Sequence, residues 1–152
     1  IFLFSTMAGV LTLVAVVYGI TSMNSDAIAA EKNAEDAMVV EVIGNQWVWN
    51  FKYPDLNVES NELALPIGKP VKFLVHSVDV NHSFWPVQLG VKADANPVSV
   101  VQINTTPNKI GKIDVKCAEL CGLYHAYMET NGYVMSEGDF NNWVLEHGGK
   151  TA

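Results

Sequence analysis

The 152-residue sequence predicts a mainly β protein: a sandwich or barrel of short strands, with one membrane helix in front and a short helix at the end. Three observations lead there. Residues 1–20 contain no charged side chain, and about 20 apolar residues at helical rise suffice to cross a bilayer core. From Met38 onward, β-branched and aromatic runs alternate with turn residues at the short, regular spacing of sandwiches and barrels. Near the C-terminus, Ser136-Glu137-Gly138-Asp139 has the spacing of a helix N-cap.

The membrane helix covers residues 1–22. A secretory signal would open on a basic region and close on a small-residue cleavage site. No basic region is present, and a chain that opens on Ile1 is expected to have lost its true beginning. Ser5, Thr6, Gly9, Thr12 and Gly19 are small enough to let another helix approach closely. The first basic residue is Lys32, well past the helix, so flanking charge does not orient the segment. Residues 23–37, rich in Ala, Asn, Ser and acids, read as a linker or a helix extension, and residues 38–152 as the folded head.

In the head, Val39, Val40, Val42 and Ile43 form a first strand ended by a Gly44-Asn45 turn. Residues 46–53 put Trp47, Trp49, Phe51 and Tyr53 on one face, the pattern of a strand turned to the core. Further strands are expected over residues 62–65, 71–77, 98–104 and 110–117, with Asn81-His82-Ser83-Phe84-Trp85 in a loop. A closing strand over 133–135 precedes a helix over 137–146. Phe140, Trp143 and Val144 hold that helix down, and His147-Gly148-Gly149 ends it. His76 and His147 have no companion ligands near them in sequence and read as structural. The net charge of −7 lies almost entirely after residue 20. Such a head repels nucleic acid and attracts basic partners.

Chemistry concentrates between residues 117 and 128, where Cys117, Cys121, His125 and Met128 fall in one short stretch. His82, from the upstream loop, could join them. Thiolate and thioether favour copper, and imidazole suits copper or zinc. A structural zinc site would use four Cys or His ligands and leave Met out. A mononuclear blue copper site needs two His, one Cys and a weak Met, so a second Cys is one thiolate too many. Two thiolates could instead bridge two metal ions. The competing reading of two cysteines in an extracytoplasmic domain is a disulfide.

CxExCxxxHxxM, with a His-Ser-Phe-Trp element well upstream, resembles the binuclear copper A site of subunit II of haem-copper cytochrome c oxidases. The resemblance implies a cupredoxin-like Greek-key sandwich. By it, Cys117 and Cys121 bridge two coppers, His82 and His125 cap one each, and Met128 and the Glu119 carbonyl complete the two spheres. It implies that the Glu119 side chain serves a magnesium or manganese ion shared with subunit I. It also implies that Trp47 accepts the electron from cytochrome c or a similar carrier. Partners would be subunit I with its haems, other oxidase subunits and the lipid bilayer, with the head on the extracytoplasmic face of the inner or plasma membrane. Single-helix forms of the subunit are known in this family, and this sequence shows one helix.

The sequence departs from the family pattern in places. Lys52 stands where an acid is common, and Asn-Pro-Val follows Leu-Gly-Val-Lys-Ala-Asp-Ala where the family often has Pro-Gly-Arg. A Glu near the cytoplasmic end of the helix is missing. Asp79 and Glu119, near the ligands in sequence, are the acids most suited to a role at the site. Other readings are a quinol oxidase subunit, which lacks the copper ligands, and nitrous oxide reductase, a much longer chain. A membrane-tethered copper-binding or copper-delivery domain is the third.

Overall fold

The computed structural model describes the backbone of residues 2–32 and 36–150, and the side chains of these residues other than 23–32. The chain divides into two compact units, residues 1–33 and 34–152. The first is a single helix, α1 (Phe2–Lys32). Its backbone carries the helix through residue 32, and residues 33–35 of the expected linker lie outside the described residues.

Phe2–Ser22 has a mean hydropathy of 2.0 over its most apolar stretch and is long and apolar enough to cross a membrane. At about 1.5 Å per residue it spans roughly 30 Å, the thickness of a hydrocarbon core. Hydroxyls are a liability in lipid unless bonded. Here Thr6 donates to the Phe2 and Leu3 carbonyls, Thr12 to Ala8, and Thr21 to Val17. The helix therefore satisfies these polar atoms by itself.

The second unit is a sandwich of two five-stranded sheets. Its strands are β1 (Met38–Asn45), β2 (Val48–Tyr53), β3 (Val58–Ser60), β4 (Leu63–Pro66), β5 (Val71–Ser77), β6 (His82–Pro86), β7 (Ala93–Ala95), β8 (Val101–Thr105), β9 (Gly111–Cys117) and β10 (Glu129–Met135). One sheet runs β3-β2-β1-β5-β8 and the other β4-β10-β9-β6-β7. Most neighbours are antiparallel. The exceptions are β1 with β5 and β4 with β10, which lie parallel and carry the crossovers. This is the cupredoxin-like Greek-key sandwich that the resemblance implied.

Alternation explains the core. In β1, Met38, Val40 and Val42 point inward; in β5, Val71, Phe73 and Val75 do the same. Trp49, Phe51 and Tyr53 of β2 are fully buried. Trp49 and Phe73 meet Phe84 of the opposite sheet edge to face, with ring centroids 5.6 and 5.2 Å apart. That aromatic contact joins the sheets directly beneath the end that carries the functional side chains.

Several boundaries differ from expectation. The first turn falls at Gln46-Trp47 and not at Gly44-Asn45, because β1 and β2 stay paired as far as Asn45 opposite Val48. Trp47 therefore leaves the aromatic face of β2 and sits half-buried in the turn. The expected strand at 98–104 starts only at Val101, with Val98 and Val100 exposed. The closing strand is longer than expected, since pairing with β9 extends it back to Glu129. His82 begins a strand, β6, where a loop was expected. β3 and β7 were not anticipated; three residues each give too short a period to read.

The last element, α2 (Glu137–Glu146), has the expected bounds. The Ser136 hydroxyl accepts from the Asp139 amide at 3.2 Å, satisfying one orphan donor of the first turn. Phe140 and Val144 are buried, and Trp143 lies 5.4 Å from the Tyr53 ring. His147 Nδ1 is 2.8 Å from the Trp143 carbonyl, a local structural bond. His76 lies on the outward-alternating face of β5.

Candidate metal centre

β6 and β9 lie side by side, with Phe84 opposite Cys117. Register alone therefore brings His82, at the start of β6, close to Cys117, at the end of β9. The loop that follows Cys117 is tied down at both ends. Its Ala118 amide donates to the Ser83 carbonyl at 2.9 Å, and the Cys117 amide donates to the Met128 carbonyl at 3.1 Å. A tight turn over His125–Tyr127 then delivers Met128 into the core, 1% exposed.

The folded loop gathers the soft donors. Cys117 Sγ lies 3.8 Å from Cys121 Sγ and 3.9 Å from His82 Nδ1. Cys121 Sγ lies 3.5 Å from His125 Nδ1 and 3.7 Å from Met128 Sδ. The ligand atoms of His82, Cys117 and Cys121 all fall within 4.8 Å of one another. A disulfide would hold the sulfurs at about 2.05 Å, so the two thiols are free. The Glu119 carbonyl accepts from Cys117 Sγ at 3.2 Å, which turns that oxygen toward the cluster while the residue itself stays exposed. Every side chain that the resemblance assigned to copper, and the Glu119 carbonyl, thus lies in one cluster.

Burial shapes its chemistry. Removal from water, followed by the adjacent Cys117, pushes the Cys121 thiol up to about 12. A raised thiol pKa favours the protonated form, and a metal bound through this sulfur would have to displace that proton.

His82 is fully buried and its other nitrogen, Nε2, meets Asp79 Oδ1 at 2.8 Å. A carboxylate on the far nitrogen of a ligand imidazole fixes the ring's tautomer and raises its basicity. Partial burial would raise the Asp79 pKa. The bonds from His82, the Gln46 and Val80 amides and the Ser77 hydroxyl outweigh it and hold the carboxyl down at about 2. Asp79 is therefore a fixed anion.

Two positions escaped the sequence reading. Gly44 looked like a turn residue but is buried in β1, facing the imidazole. A Cβ there would lie 2.9 Å from His82 Cδ2 and 3.2 Å from the Trp49 ring. Gln46 donates from Nε2 to the Cys121 carbonyl at 2.7 Å, beside a longer 3.3 Å bond from the Trp47 indole. No local pattern announces either role, since both depend on which loop folds against the β1 end. Trp47 also packs edge to face on Tyr124 at 4.8 Å. In the loop between β9 and β10, Leu120, Leu123 and Tyr127 are exposed.

The donor set fits a soft metal. Two free thiols, two imidazoles, a thioether and one carbonyl suit copper and not magnesium or calcium, which take oxygen ligands. Fold and cluster together define a cupredoxin-like domain with a soft-metal site in its end loops. Residues 55–131, which include the whole cluster, match the family described as cytochrome c oxidase subunit II, periplasmic domain. The chain belongs to that family.

Among its relatives, a cytochrome c oxidase subunit 2 of Thermostichus vulcanus is 44% identical over 107 residues, covering 70% of this chain and 32% of the relative. An alternative cytochrome c oxidase subunit 2 of Bradyrhizobium diazoefficiens is 34% identical over 140 residues, covering 72% and 50%. The chain thus spans about a third to a half of these relatives' length. The solved periplasmic domain of subunit II of cytochrome oxidase (CoxB) of Bradyrhizobium japonicum superposes with a TM-score of 0.69 at 29% identity, covering 73% of this chain and 93% of that one.

Proposed function

We propose that this chain is the copper A subunit of a haem-copper terminal oxidase, the point at which electrons reach the complex. In this reading residues 1–22 cross the inner or plasma membrane, residues 23–37 extend the helix or link it, and residues 38–152 form the copper domain on the extracytoplasmic face. The observation that supports it most is the pair of unbonded cysteines, 3.8 Å apart and flanked by imidazole and thioether.

Cys117, Cys121, His82, His125, Met128 and the Glu119 carbonyl would hold two copper ions. Such a pair supplies one-electron transfer. The chain's own work is to keep the ligands in place and dry: Cys121, Met128 and His82 are 3%, 1% and 0% exposed. Rigidly mounted ligands have little room to move between redox states, which favours fast transfer. Trp47, half-buried and bonded to the Cys121 carbonyl, is the proposed point where electrons arrive from cytochrome c or a similar carrier. The electron would pass to haem in subunit I, where oxygen is reduced to water and protons are moved. The exposed Glu119 carboxylate would take a magnesium or manganese ion at the boundary with that subunit.

The test is copper content and electron paramagnetic resonance on the full chain in detergent. Two coppers per chain, with hyperfine structure spread over both nuclei, are expected. One copper, zinc, or a Cys117–Cys121 disulfide that resists reduction would overturn the reading in favour of a membrane-tethered copper-delivery or binding domain.

A further inference from the structure

The metal ligands come from two separately anchored pieces, and one residue outside both touches each. His82 sits on β6 and is steadied by Asp79 in the β5–β6 connection. Cys121 sits in the loop between β9 and β10. Gln46 belongs to neither, lying in the turn that follows β1. Its backbone N–H donates to Asp79 Oδ2 at 2.7 Å, and its side-chain Nε2 donates to the Cys121 carbonyl, also at 2.7 Å.

The surroundings favour this double contact. Gly122, immediately after Cys121, has a φ of +119°, a backbone conformation open mainly to glycine. A Cβ at that position would stand 3.0 Å from Gln46 Nε2 and 3.4 Å from the Trp47 indole. A side chain at residue 122 would strain the backbone and push the Gln46 amide away by a few tenths of an ångström, so glycine there suits the close approach of loop and turn. Asp79 Oδ1 is shared between His82, Ser77 and the Val80 amide, and Gln46 takes Oδ2, so both carboxylate oxygens are engaged.

We propose that Gln46 is a positioning residue of the metal centre, which sets the Cys121 side against the His82 side through its two hydrogen bonds. The proposal rests on the copper reading above. Through its side chain the residue holds the backbone that carries one bridging thiol. Through its amide it holds the carboxylate that orients the opposite imidazole. A change at Gln46 should therefore alter the centre's electronic structure and its hold on copper without either ligand being touched.

The experiment compares the full chain in detergent, loaded with copper, with Gln46→Met, which has similar length and no donor. Gln46→Glu keeps the shape but turns an oxygen toward the Cys121 carbonyl oxygen. Three quantities are read: the hyperfine pattern, the rate of copper transfer to a chelator, and the melting temperature of the metal-free chain. Gln46→Met is expected to take up two coppers, to show a changed hyperfine pattern and to lose copper about two- to tenfold faster, the worth of one hydrogen bond. Gln46→Glu should lose it faster still.

A purely structural residue would lower the metal-free melting temperature and leave the hyperfine pattern alone; that outcome overturns the proposal. So does failure of both variants to fold where the wild type folds. If the wild type takes up two coppers and both variants match it in pattern and rate, the role of Gln46 falls and the copper reading stands. If the wild type itself does not take up two coppers, both fall.

Discussion

The two sides of the candidate metal centre are built differently. His82 is mounted on a strand, fully buried, with Asp79 behind it and the Trp49 ring 6.0 Å from its own. Cys121 and His125 ride on a loop that also carries Leu120, Leu123 and Tyr127 out into solvent. That loop is closed at its base by the Cys117 to Met128 bond and held to the rest of the domain by long-range bonds from Ala118 to Ser83 and from Gln46 and Trp47 to Cys121. The strand side is preorganised by packing before any metal arrives. The loop side is preorganised by hydrogen bonds, and a metal would complete it. Division of this kind lets a site admit its ion and still hold it rigidly afterward.

The largest effect that separates the sides should come from the loop. Cys121→Ser removes one of the two thiols proposed to bridge the coppers, and the proposed copper pair should be lost, leaving one copper or none by metal analysis. A variant that kept two coppers and an unchanged resonance spectrum would show that the thiol is not a shared ligand.

On the strand side the effect should be graded. Asp79→Asn keeps the size and removes the charge behind His82, and copper affinity should fall about 10- to 100-fold, the usual cost of losing a partner behind a metal ligand. The same variant gives a pH test on the metal-free chain. Asp79 has a folded pKa of about 2 against an ordinary 3.8. A depressed carboxyl pKa contributes stability above the unfolded value, and that stability is lost as pH falls through the folded value. Between pH 4 and 2 the wild type should therefore lose more stability than Asp79→Asn, measured by denaturant unfolding at each pH. Parallel curves would contradict the assigned hydrogen bonds.

Gly44→Ala probes the packing behind the imidazole. The added methyl would stand 2.9 Å from the His82 ring with buried neighbours on the other side, and overpacking of this kind costs about 1–3 kcal/mol. Thermal unfolding should show the loss in the metal-free chain, where a ligand effect plays no part. An unshifted melting temperature would mean that the strand side yields more readily than its packing suggests. The smallest effect is expected at Met128→Leu, close in volume and already core-facing. Copper should stay bound and the midpoint potential should shift, because a weak axial donor tunes a copper site more than it holds it. Loss of both coppers would give Met128 a larger part than this.

Much of this was legible before folding. The ligand residues could be gathered from the sequence because four of them fall within 12 residues and carry unusual chemistry. The helix α2 was readable to its bounds because its cap and its apolar spacing are local. Trp47 was assigned to the aromatic face of β2 because it keeps the period-two pattern, yet the hairpin turns at that residue. Pattern alone does not reveal where pairing stops. Asp79 drew notice only by closeness in sequence to His82; three of its four hydrogen bonds are local, with Ser77, Val80 and His82, and the fourth comes from Gln46, 33 residues away.

Composition and order along the chain determined the membrane-length helix, the β class of the head and the identity of the soft donors. These follow from short-range properties: hydropathy over about 20 residues, alternation over a strand, and side-chain softness. Only the tertiary structure decided that the two thiols stand 3.8 Å apart and unbonded, that His82 is locked by Asp79, and that Gly44 and Gln46 serve the site. Those facts depend on the register of β6 against β9 and on the close approach of the β1–β2 turn to the metal loop. The physical reason is separation along the chain: Gln46 meets Cys121 across 75 residues, and His82 meets Cys117 across 35. No local propensity spans such distances. Packing of the two sheets does.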